Sequence, residues 1–409
     1  MELYIREKYL SKMRGFYHDT DIIKVVTGVR RCGKSCLLKT IQNELTQNNV
    51  SEENIISLDL DSREYRKIKT ADQLEELILS HTKTKDTKYL FIDEIQNVTG
   101  FEEVINGFRD DGDYSIFITG SNSYLLSGEL ATKLTGRYIE FEIFTLSFDE
   151  YINMKTFYNQ KVESNLLIEL NNYLQEGGFP KTIQYTSLAD KRTYVTSVIN
   201  EIFEKDIKRR VKVKNVEAFN NIKNFIINNF GATFSIKSIH EALGKNGMNI
   251  KRETLSKYID ILVDSKILYR CDRFDMKSKK SLSGEKKYYL ADTSFYFSTN
   301  TDNRINYGPT LENLVYIYAK SKDYSVSVGR IGKFECDFIL RDNNLNYSYI
   351  QVAYTINESK TTEDREYAPL EKIKDNYPKY VATTDYLLQN RNGIKHINIL
   401  EFIKNNERF

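Results

Sequence analysis

The sequence lacks tryptophan and is poor in the residues that build metal sites and disulfide frameworks. It has four cysteines that form no C-x-x-C pair and four histidines that lie far apart. A secreted disulfide scaffold and a zinc site are therefore not expected. Large core side chains are still plentiful, because 29 tyrosines and 22 phenylalanines are present.

Long apolar runs and a large charge excess are also missing. The N-terminal segment alternates charged and apolar residues, unlike a secretory signal, and no apolar run approaches membrane-spanning length. Because the formal net charge is only +2, contact with a polyanion would have to come from a local patch. The chain of 409 residues is 40% hydrophobic and 28% charged, which is typical of a globular protein of several domains. These features predict a reduced, cytoplasmic enzyme.

One stretch fits the pattern of a phosphate-binding loop at every fixed position. A β-branched segment at 22–26 precedes it and apolar residues at helical spacing follow it, so the stretch lies between a predicted strand and a predicted helix. We expect backbone N–H groups to surround phosphate oxygens, Lys34 to contact the β- and γ-phosphates, and the Ser35 hydroxyl to bind Mg²⁺. The residues expected to bind nucleotide are Gly28, Val29, Arg30, Arg31, Cys32, Gly33, Lys34, Ser35 and Cys36. The chain is therefore predicted to bind a nucleoside triphosphate.

Two further strands are predicted to end in polar side chains. Four apolar residues at 89–92 lead into Asp93 and Glu94, as expected for a buried parallel strand with acids at its carboxyl end. Asp93 is expected to hold Mg²⁺, directly or through water, and Glu94 to polarise the attacking water. After the strand at 114–119, Asn122 is our candidate for orienting that water and Ser121 the alternative. Asn122 could instead simply cap the following helix.

These segments occur together with two others, and the combination is specific. They read Gly-Val-Arg-Arg-x-Gly-Lys-Ser at 28–35, Phe-Ile-Asp-Glu-Ile-Gln at 91–96, Ile-Thr-Gly-Ser-Asn at 118–122, Leu-Ser-Phe-Asp-Glu-Tyr at 146–151 and Gly-Gly-Phe-Pro at 177–180. Over nearly its whole length the chain resembles bacterial and archaeal AAA-type P-loop ATPases known mostly as ATP-binding proteins. The resemblance implies an AAA+-like core and a C-terminal domain of uncharacterised function with a restriction-endonuclease-like fold.

The same resemblance implies roles for individual residues. Asp93 and Glu94 would be the acidic pair, Asn122 the polar sensor, and ATP rather than GTP the nucleotide. Arg137 is suggested as an arginine finger on the γ-phosphate of a neighbouring subunit, which requires a homo-oligomer. A surface ion pair is the alternative interpretation of Arg137.

The expected fold is α/β, with four parts in order. They are a P-loop ATPase core with a parallel sheet at 1–150, a helical lid or linker at 151–215, a winged helix at 216–291, and an α/β restriction-endonuclease-like domain at 292–409. The winged helix is predicted from three helices followed by two strands around a lysine-rich loop. Its candidates for contact with nucleic acid are Lys277, Lys279, Lys280, Lys286, Lys287, Arg252 and Lys257. Such lysines would neutralise phosphates, although a solvated lysine-rich loop would have the same composition.

The C-terminal part supplies only a degenerate nuclease site. Restriction-like nucleases use an Asp on one strand and Glu-x-Lys on the next to hold a divalent metal and assist water. Asp337 is present, but Gln351 and Ala353 stand where the Glu and the Lys are needed. Glu312 and Glu335 are further candidate ligands, but they leave the lysine missing. Nuclease activity is therefore not expected.

Three functions remain open from the sequence. The first is an ATPase with Mg²⁺ that acts on DNA, by binding or remodelling it. The second is a nucleotide-dependent switch that binds a protein partner in signalling or defence. The third is an ATP-gated, metal-dependent nuclease.

Overall fold

A computed structural model describes residues 3–120, 134, 136–208, 213–245, 247–277, 280–300 and 304–409, with only the backbone of 280–283. The candidate Asn122, its alternative Ser121 and Lys279 lie outside the described residues, as does the side chain of Lys280. The chain divides into two compact units, 1–143 and 144–409. No helix in the described part of the chain is long and apolar enough to cross a membrane.

The first unit is built on a parallel five-stranded sheet. Its elements are α1 Glu7–Met13, β1 Ile23–Thr27, α2 Lys34–Gln47, β2 Ile55–Asp59, α3 Ala71–His81, β3 Lys88–Asp93, α4 Phe101–Asp110, β4 Tyr114–Thr119 and β5 Tyr138–Glu142. The strand order is β2-β3-β4-β1-β5. Strands β1 and β4 are buried along their whole length, which explains their uninterrupted apolar and β-branched character. The sequence order reverses beside β1, and ligands of open α/β sheets bind at such a point, beyond the carboxyl ends of the strands.

The second unit begins with helices and continues into a mixed sheet. Its helices are α5 Phe148–Phe157, α6 Leu166–Glu176, α7 Leu188–Glu201, α8 Val216–Asn228, α9 Ile236–Lys245, α10 Arg252–Asp264, α11 Ser294–Thr299, α12 Tyr307–Ser321, α13 Lys360–Glu371 and α14 Ile399–Lys404. A π-helical segment, Ile202–Ile207, directly extends α7. Its strands are β6 Thr233–Phe234, β7 Leu268–Asp275, β8 Lys280–Leu290, β9 Ser325–Ile331, β10 Phe334–Arg341, β11 Tyr347–Val352, β12 Lys379–Thr383 and β13 Lys395–Asn398.

The strands of the second unit form one sheet in the order β13-β12-β11-β10-β9-β7-β8-β6. Strands β7 and β8 pair as an antiparallel hairpin, and β7 also pairs in parallel with β9. The hairpin that follows α8, α9 and α10 is therefore continuous with the C-terminal strands. The winged-helix and restriction-endonuclease-like descriptions of these segments remain predictions.

The Gly-Gly-Phe-Pro segment joins two distant parts of the second unit. The N–H of Gly178 donates to Asp292 Oδ2 at 2.8 Å, and its carbonyl accepts from the Leu146 N–H at 2.7 Å. A Cβ atom on Gly177 would lie 2.1 Å from Asp292 Oδ1, and one on Gly178 would lie 2.3 Å from the Leu146 oxygen. Only glycine fits at these positions, so the motif is explained by close packing.

Candidate active site

The phosphate-binding loop connects the end of β1 to the start of α2. Gly33 adopts a φ of 109° immediately before α2 begins, and Gly28 adopts a φ of 139° at the end of β1. A Cβ atom on Gly28 would lie 2.1 Å from the Ile143 carbonyl oxygen. Both fixed glycines of the motif are thus required by the backbone. The first N–H groups of α2 lack partners within the helix and form an anion-binding end.

The Lys34 side chain folds back onto this loop. Its side chain is buried at 6% exposure, and its Nζ donates to the carbonyls of Gly28 at 3.0 Å and Val29 at 3.3 Å. The ammonium group therefore lies against the loop, where the motif requires it to meet phosphate oxygens. Burial raises the pKa of the neighbouring Cys32 thiol, so this cysteine is packed inside the loop as a neutral group. Cys36, in the first turn of α2, is exposed.

Arg6 supports the loop from the segment before β1. It is buried at 7% exposure, its Nη1 donates to the Cys32 carbonyl at 3.1 Å, and its guanidinium lies 4.6 Å from the centre of the Tyr9 ring. In the sequence, this segment showed only that charged and apolar residues alternate. The carbonyl contact had no local signal, because it joins residues 26 positions apart.

The acidic pair is located at the carboxyl end of β3, as predicted. Asp93 is the last residue of the strand, and Glu94 adopts a left-handed conformation with φ 57° directly after it. Thr119, fully buried at the end of β4, connects the two residues. Its Oγ1 donates to Asp93 Oδ1 and accepts from the Glu94 N–H at 3.1 Å.

Thr119 is a residue of this candidate site that the sequence analysis missed. The sequence-based candidates were Ser121 and Asn122, because they follow the predicted strand. A polar residue at the end of a buried apolar strand was the available signal, since a buried hydroxyl requires a partner.

The Glu94 carboxylate is also held in place. Its Oε2 accepts from Gln96 Nε2 and lies 4.0 Å from Nη2 of Arg30, a residue of the phosphate-binding loop. Glu94 and Arg30 are 16% and 11% exposed, so the loop and the acidic segment meet in a largely buried setting. Within the described part of the chain, the side-chain oxygen of Gln96 is buried and has no hydrogen-bond partner.

The oxygen ligands available here suit Mg²⁺. The exposed Ser35 at the start of α2 and the partly exposed Asp93 offer a hydroxyl and a carboxylate. Mg²⁺ is usually held by one or two protein oxygens together with substrate phosphates. No cluster of three or more His, Cys, Asp or Glu side chains suited to a metal occurs among the described residues. These two ligands therefore fit a cation that arrives with the nucleotide better than a permanent metal site.

Arg137 lies at the opposite end of the sheet from the phosphate-binding loop. Its carbonyl accepts from the Ile23 N–H at 2.9 Å, at the start of β1, whereas the loop follows Thr27 at the other end. Five strand residues span about 16 Å, which is further than an arginine side chain extends. The exposed Arg137 is therefore placed away from the site of its own subunit, and a role in a neighbouring subunit stays a prediction.

The acidic residues of the degenerate nuclease site surround Lys287. Lys287 was predicted to contact nucleic acid, but it is 5% exposed. Its Nζ donates to Glu312 Oε2 at 2.9 Å and pairs with Glu335 Oε1 at 3.1 Å. Burial opposes the charged lysine, but the pKa of Lys287 is still raised because the carboxylates of Glu312, Asp337 and Glu335 surround it. Lys287 is therefore an internal counter-ion, which corrects its assignment to a DNA-binding surface.

Asp337 and Gln351, the other residues of this cluster, form hydrogen bonds with backbone groups of the sheet. Asp337 Oδ2 accepts from the Val352 N–H at 2.8 Å, and the Gln351 side-chain oxygen accepts from the Asp337 N–H at 3.3 Å. Burial, with the charge of Glu312 nearby, raises the pKa of the Asp337 carboxyl well above its ordinary value. The register of β10 against β9 shifts between Cys336 and Ile339, next to Asp337.

The other candidates for nucleic-acid contact differ in exposure. Arg252 and Lys257 on α10 and Lys277 after β7 are exposed. Lys286 is 28% exposed and pairs with Asp272 at 3.2 Å. The exposed subset is therefore small and is divided between α10 and the end of the hairpin.

The loop between β1 and α2, the strand order and the acids at the end of β3 define a nucleotide-binding P-loop ATPase core. Residues 20–152 match the family described as AAA domain, and residues 167–303 match a domain of unknown function (DUF8612). The class of the first unit is thus an AAA-type ATPase.

Two relatives match most of the chain. An uncharacterized protein of Haemophilus influenzae is 35% identical over 404 residues, which cover 97% of this chain and 98% of that protein. An uncharacterized protein of Methanocaldococcus jannaschii is 32% identical over 368 residues, covering 86% of this chain and 79% of that protein. This chain belongs to the family of AAA-domain proteins that includes these two.

A solved structure supports the fold. The Walker-type ATPase of Pyrococcus abyssi aligns with a TM-score of 0.52 at 16% identity, covering 72% of this chain and 95% of that one. At this identity the likeness concerns the fold alone.

Proposed function

We propose that this chain hydrolyses ATP with Mg²⁺ at the carboxyl edge of the five-stranded sheet and couples hydrolysis to contact with DNA. The observation that carries the proposal is the convergence of the Lys34 ammonium, the Asp93 carboxylate and the Glu94 carboxylate on one sheet edge. Two hydrogen bonds through Thr119 connect the acids, and Arg30 brings the loop toward Glu94.

The residues divide the chemistry as follows. Lys34 and the N–H groups at the start of α2 bind the phosphates and stabilise charge on the transferred phosphoryl group. Ser35 and Asp93 would hold Mg²⁺, which would neutralise phosphate charge when bound. Glu94 accepts a hydrogen bond from the attacking water and orients it. Asn122 remains our proposal for the polar sensor, and Arg137 for the finger that a neighbouring subunit would supply.

The contact with DNA is supported by the exposed cations of the second unit. Arg252, Lys257 and Lys277 are exposed, whereas Lys287 is buried and is therefore not in this set. The nuclease alternative is disfavoured, because Lys287 already neutralises Glu312 and Glu335 and Gln351 is a poor ligand for Mg²⁺.

Two variants test the ATPase assignment. Lys34→Ala should lose most nucleotide affinity, since it removes the positive charge that contacts the phosphates. Glu94→Gln should still bind ATP but should turn it over roughly 100-fold or more slowly, as expected for loss of a general base. Binding is measured by calorimetry and turnover by phosphate release. Equal turnover by Glu94→Gln and the unchanged protein would remove Glu94 from this role.

The same turnover assay tests the coupling to DNA. Single-stranded, duplex and branched DNA are added at low salt, and a change in turnover is expected with at least one of them. If none binds or alters turnover while a protein co-purifies, the switch alternative replaces this part of the proposal.

A further inference from the structure

An open groove of about 610 Å³ lies in the second unit, where three connecting segments meet. They are the residues that follow β7, the turn between β9 and β10, and the residues that follow α13. Four of its lining residues are lysines, which we call the groove lysines: Lys277, Lys333, Lys372 and Lys374. The volume is within the range of ordinary ligand sites, roughly 300–1,000 Å³.

The charge of this groove is strongly positive. All four groove lysines are exposed, and within the described ranges none of them forms an ion pair with a carboxylate. Asp375 is the one carboxylate among the described lining residues. Its Oδ2 accepts from the Tyr349 hydroxyl at 2.6 Å and its Oδ1 lies 3.3 Å from Lys379 Nζ. The groove therefore keeps an excess of about four positive charges, which suits a polyanion.

The floor of the groove is apolar. Met276, Ile331 and Phe334 are partly exposed, and Ile373 is buried beneath them. Met276, Ile331 and Ile373 belong to the apolar cluster that α13 forms with the sheet, so the floor is fixed by core packing. Lys333 Nζ lies 5.6 Å from the centre of the Phe334 ring. Cations thus surround an apolar and aromatic surface.

We propose that this groove binds single-stranded nucleic acid, an inference that rests on the nucleic-acid part of the proposed function. The groove lysines contact phosphates, and unpaired bases pack on the floor formed by Met276, Ile331 and Phe334. Sites for single strands combine these two features, because every base offers an apolar face and the backbone offers regular charge. A duplex keeps its bases stacked inside and can use only the charges.

The test compares two triple variants of the full chain. The groove variant is Lys333→Ala with Lys372→Ala and Lys374→Ala. The control is Lys161→Ala with Lys237→Ala and Lys360→Ala, which removes the same charge from side chains that are 80%, 70% and 70% exposed elsewhere. Circular dichroism establishes that each variant is folded. Fluorescence anisotropy then measures binding of labelled oligothymidylate, oligouridylate and a duplex, each of about 16 nucleotides or base pairs.

The salt dependence gives the expected magnitude. Four phosphate contacts on a single strand predict a slope of about −2.8 in log K against log salt, or roughly 50-fold weaker binding between about 50 and 200 mM salt. The groove variant keeps one of these contacts, so its affinity should fall by only about 3-fold over the same salt range. At low salt it should bind more weakly than the unchanged chain. The control should behave like the unchanged chain, and both single strands should bind more tightly than the duplex.

The contrary outcomes separate this inference from the proposed function. If the unchanged chain binds single strands but the groove variant has the same affinity and slope, the groove is wrong while nucleic-acid binding stands. A duplex bound as tightly as the single strands would overturn the role of the apolar floor. If no nucleic acid binds the unchanged chain while it hydrolyses ATP, the groove and the DNA part of the function both fail and the ATPase remains.

Discussion

Replacing Thr119 by valine should weaken the use of Mg²⁺ by this ATPase. Valine keeps the shape of threonine but removes the hydroxyl that bridges the acidic pair. Asp93 Oδ1 loses the hydrogen bond that the Thr119 hydroxyl donates. The Glu94 N–H loses its acceptor, the same hydroxyl oxygen at 3.1 Å. Thr119 itself is fully buried, and the valine side chain offers neither group a replacement partner.

The magnitude follows from these two lost hydrogen bonds. A buried polar group left without its partner costs about 1–3 kcal/mol, so the free energy of unfolding should fall by a similar amount. Loss of a hydrogen bond that orients a metal ligand typically costs about 10–100-fold in metal affinity. The Mg²⁺ concentration for half-maximal turnover should therefore rise by about 10-fold or more.

The assay is ATP turnover titrated with Mg²⁺, together with unfolding in urea. Thr119→Ser is the matched control, because it keeps the hydroxyl and removes one methyl group, at a cost of about 1 kcal/mol. Serine should lose that stability but keep the Mg²⁺ dependence of the unchanged protein. If valine leaves the Mg²⁺ dependence unaltered, Thr119 does not position Asp93 and this account of the site is wrong.

Two further predictions concern buried lysines. Lys24 is 0% exposed, and burial lowers its pKa from 10.5 to about 7. Between these values the unfolded chain binds more protons, so the free energy of unfolding should increase as the pH rises through this window, by at most about 5 kcal/mol. Lys24→Met should flatten that increase in urea unfolding measured across the window, and an unchanged slope would contradict the assignment. Lys287→Met leaves Glu312 and Glu335 without their shared ammonium and should cost about 3–5 kcal/mol of unfolding free energy. Lys286→Met, which breaks only the more exposed pair with Asp272, should cost less than about 1 kcal/mol, and equal losses would refute the internal role of Lys287.

The sequence alone was sufficient to place the phosphate-binding loop between a strand and a helix, and to place the two acids at the end of β3. Both depend on short-range rules: a fixed pattern of glycines and a lysine, and an apolar run ending in carboxylates. The helices α8, α9 and α10 were also predictable, because each carries an apolar face at helical spacing.

Only the tertiary structure decided how distant side chains pair. Thr119 meets Asp93 and Glu94 because β3 and β4 are neighbours in the sheet, and Arg6 meets the Cys32 carbonyl across 26 residues. The lysine-rich sequence around Lys287 suggested a lysine on the surface of a hairpin. In the structure, β8 places Lys287 beside Glu312 and Glu335. Local pattern reports which side chains a strand carries, whereas the pairing of strands and helices determines which charges meet and which are removed from water.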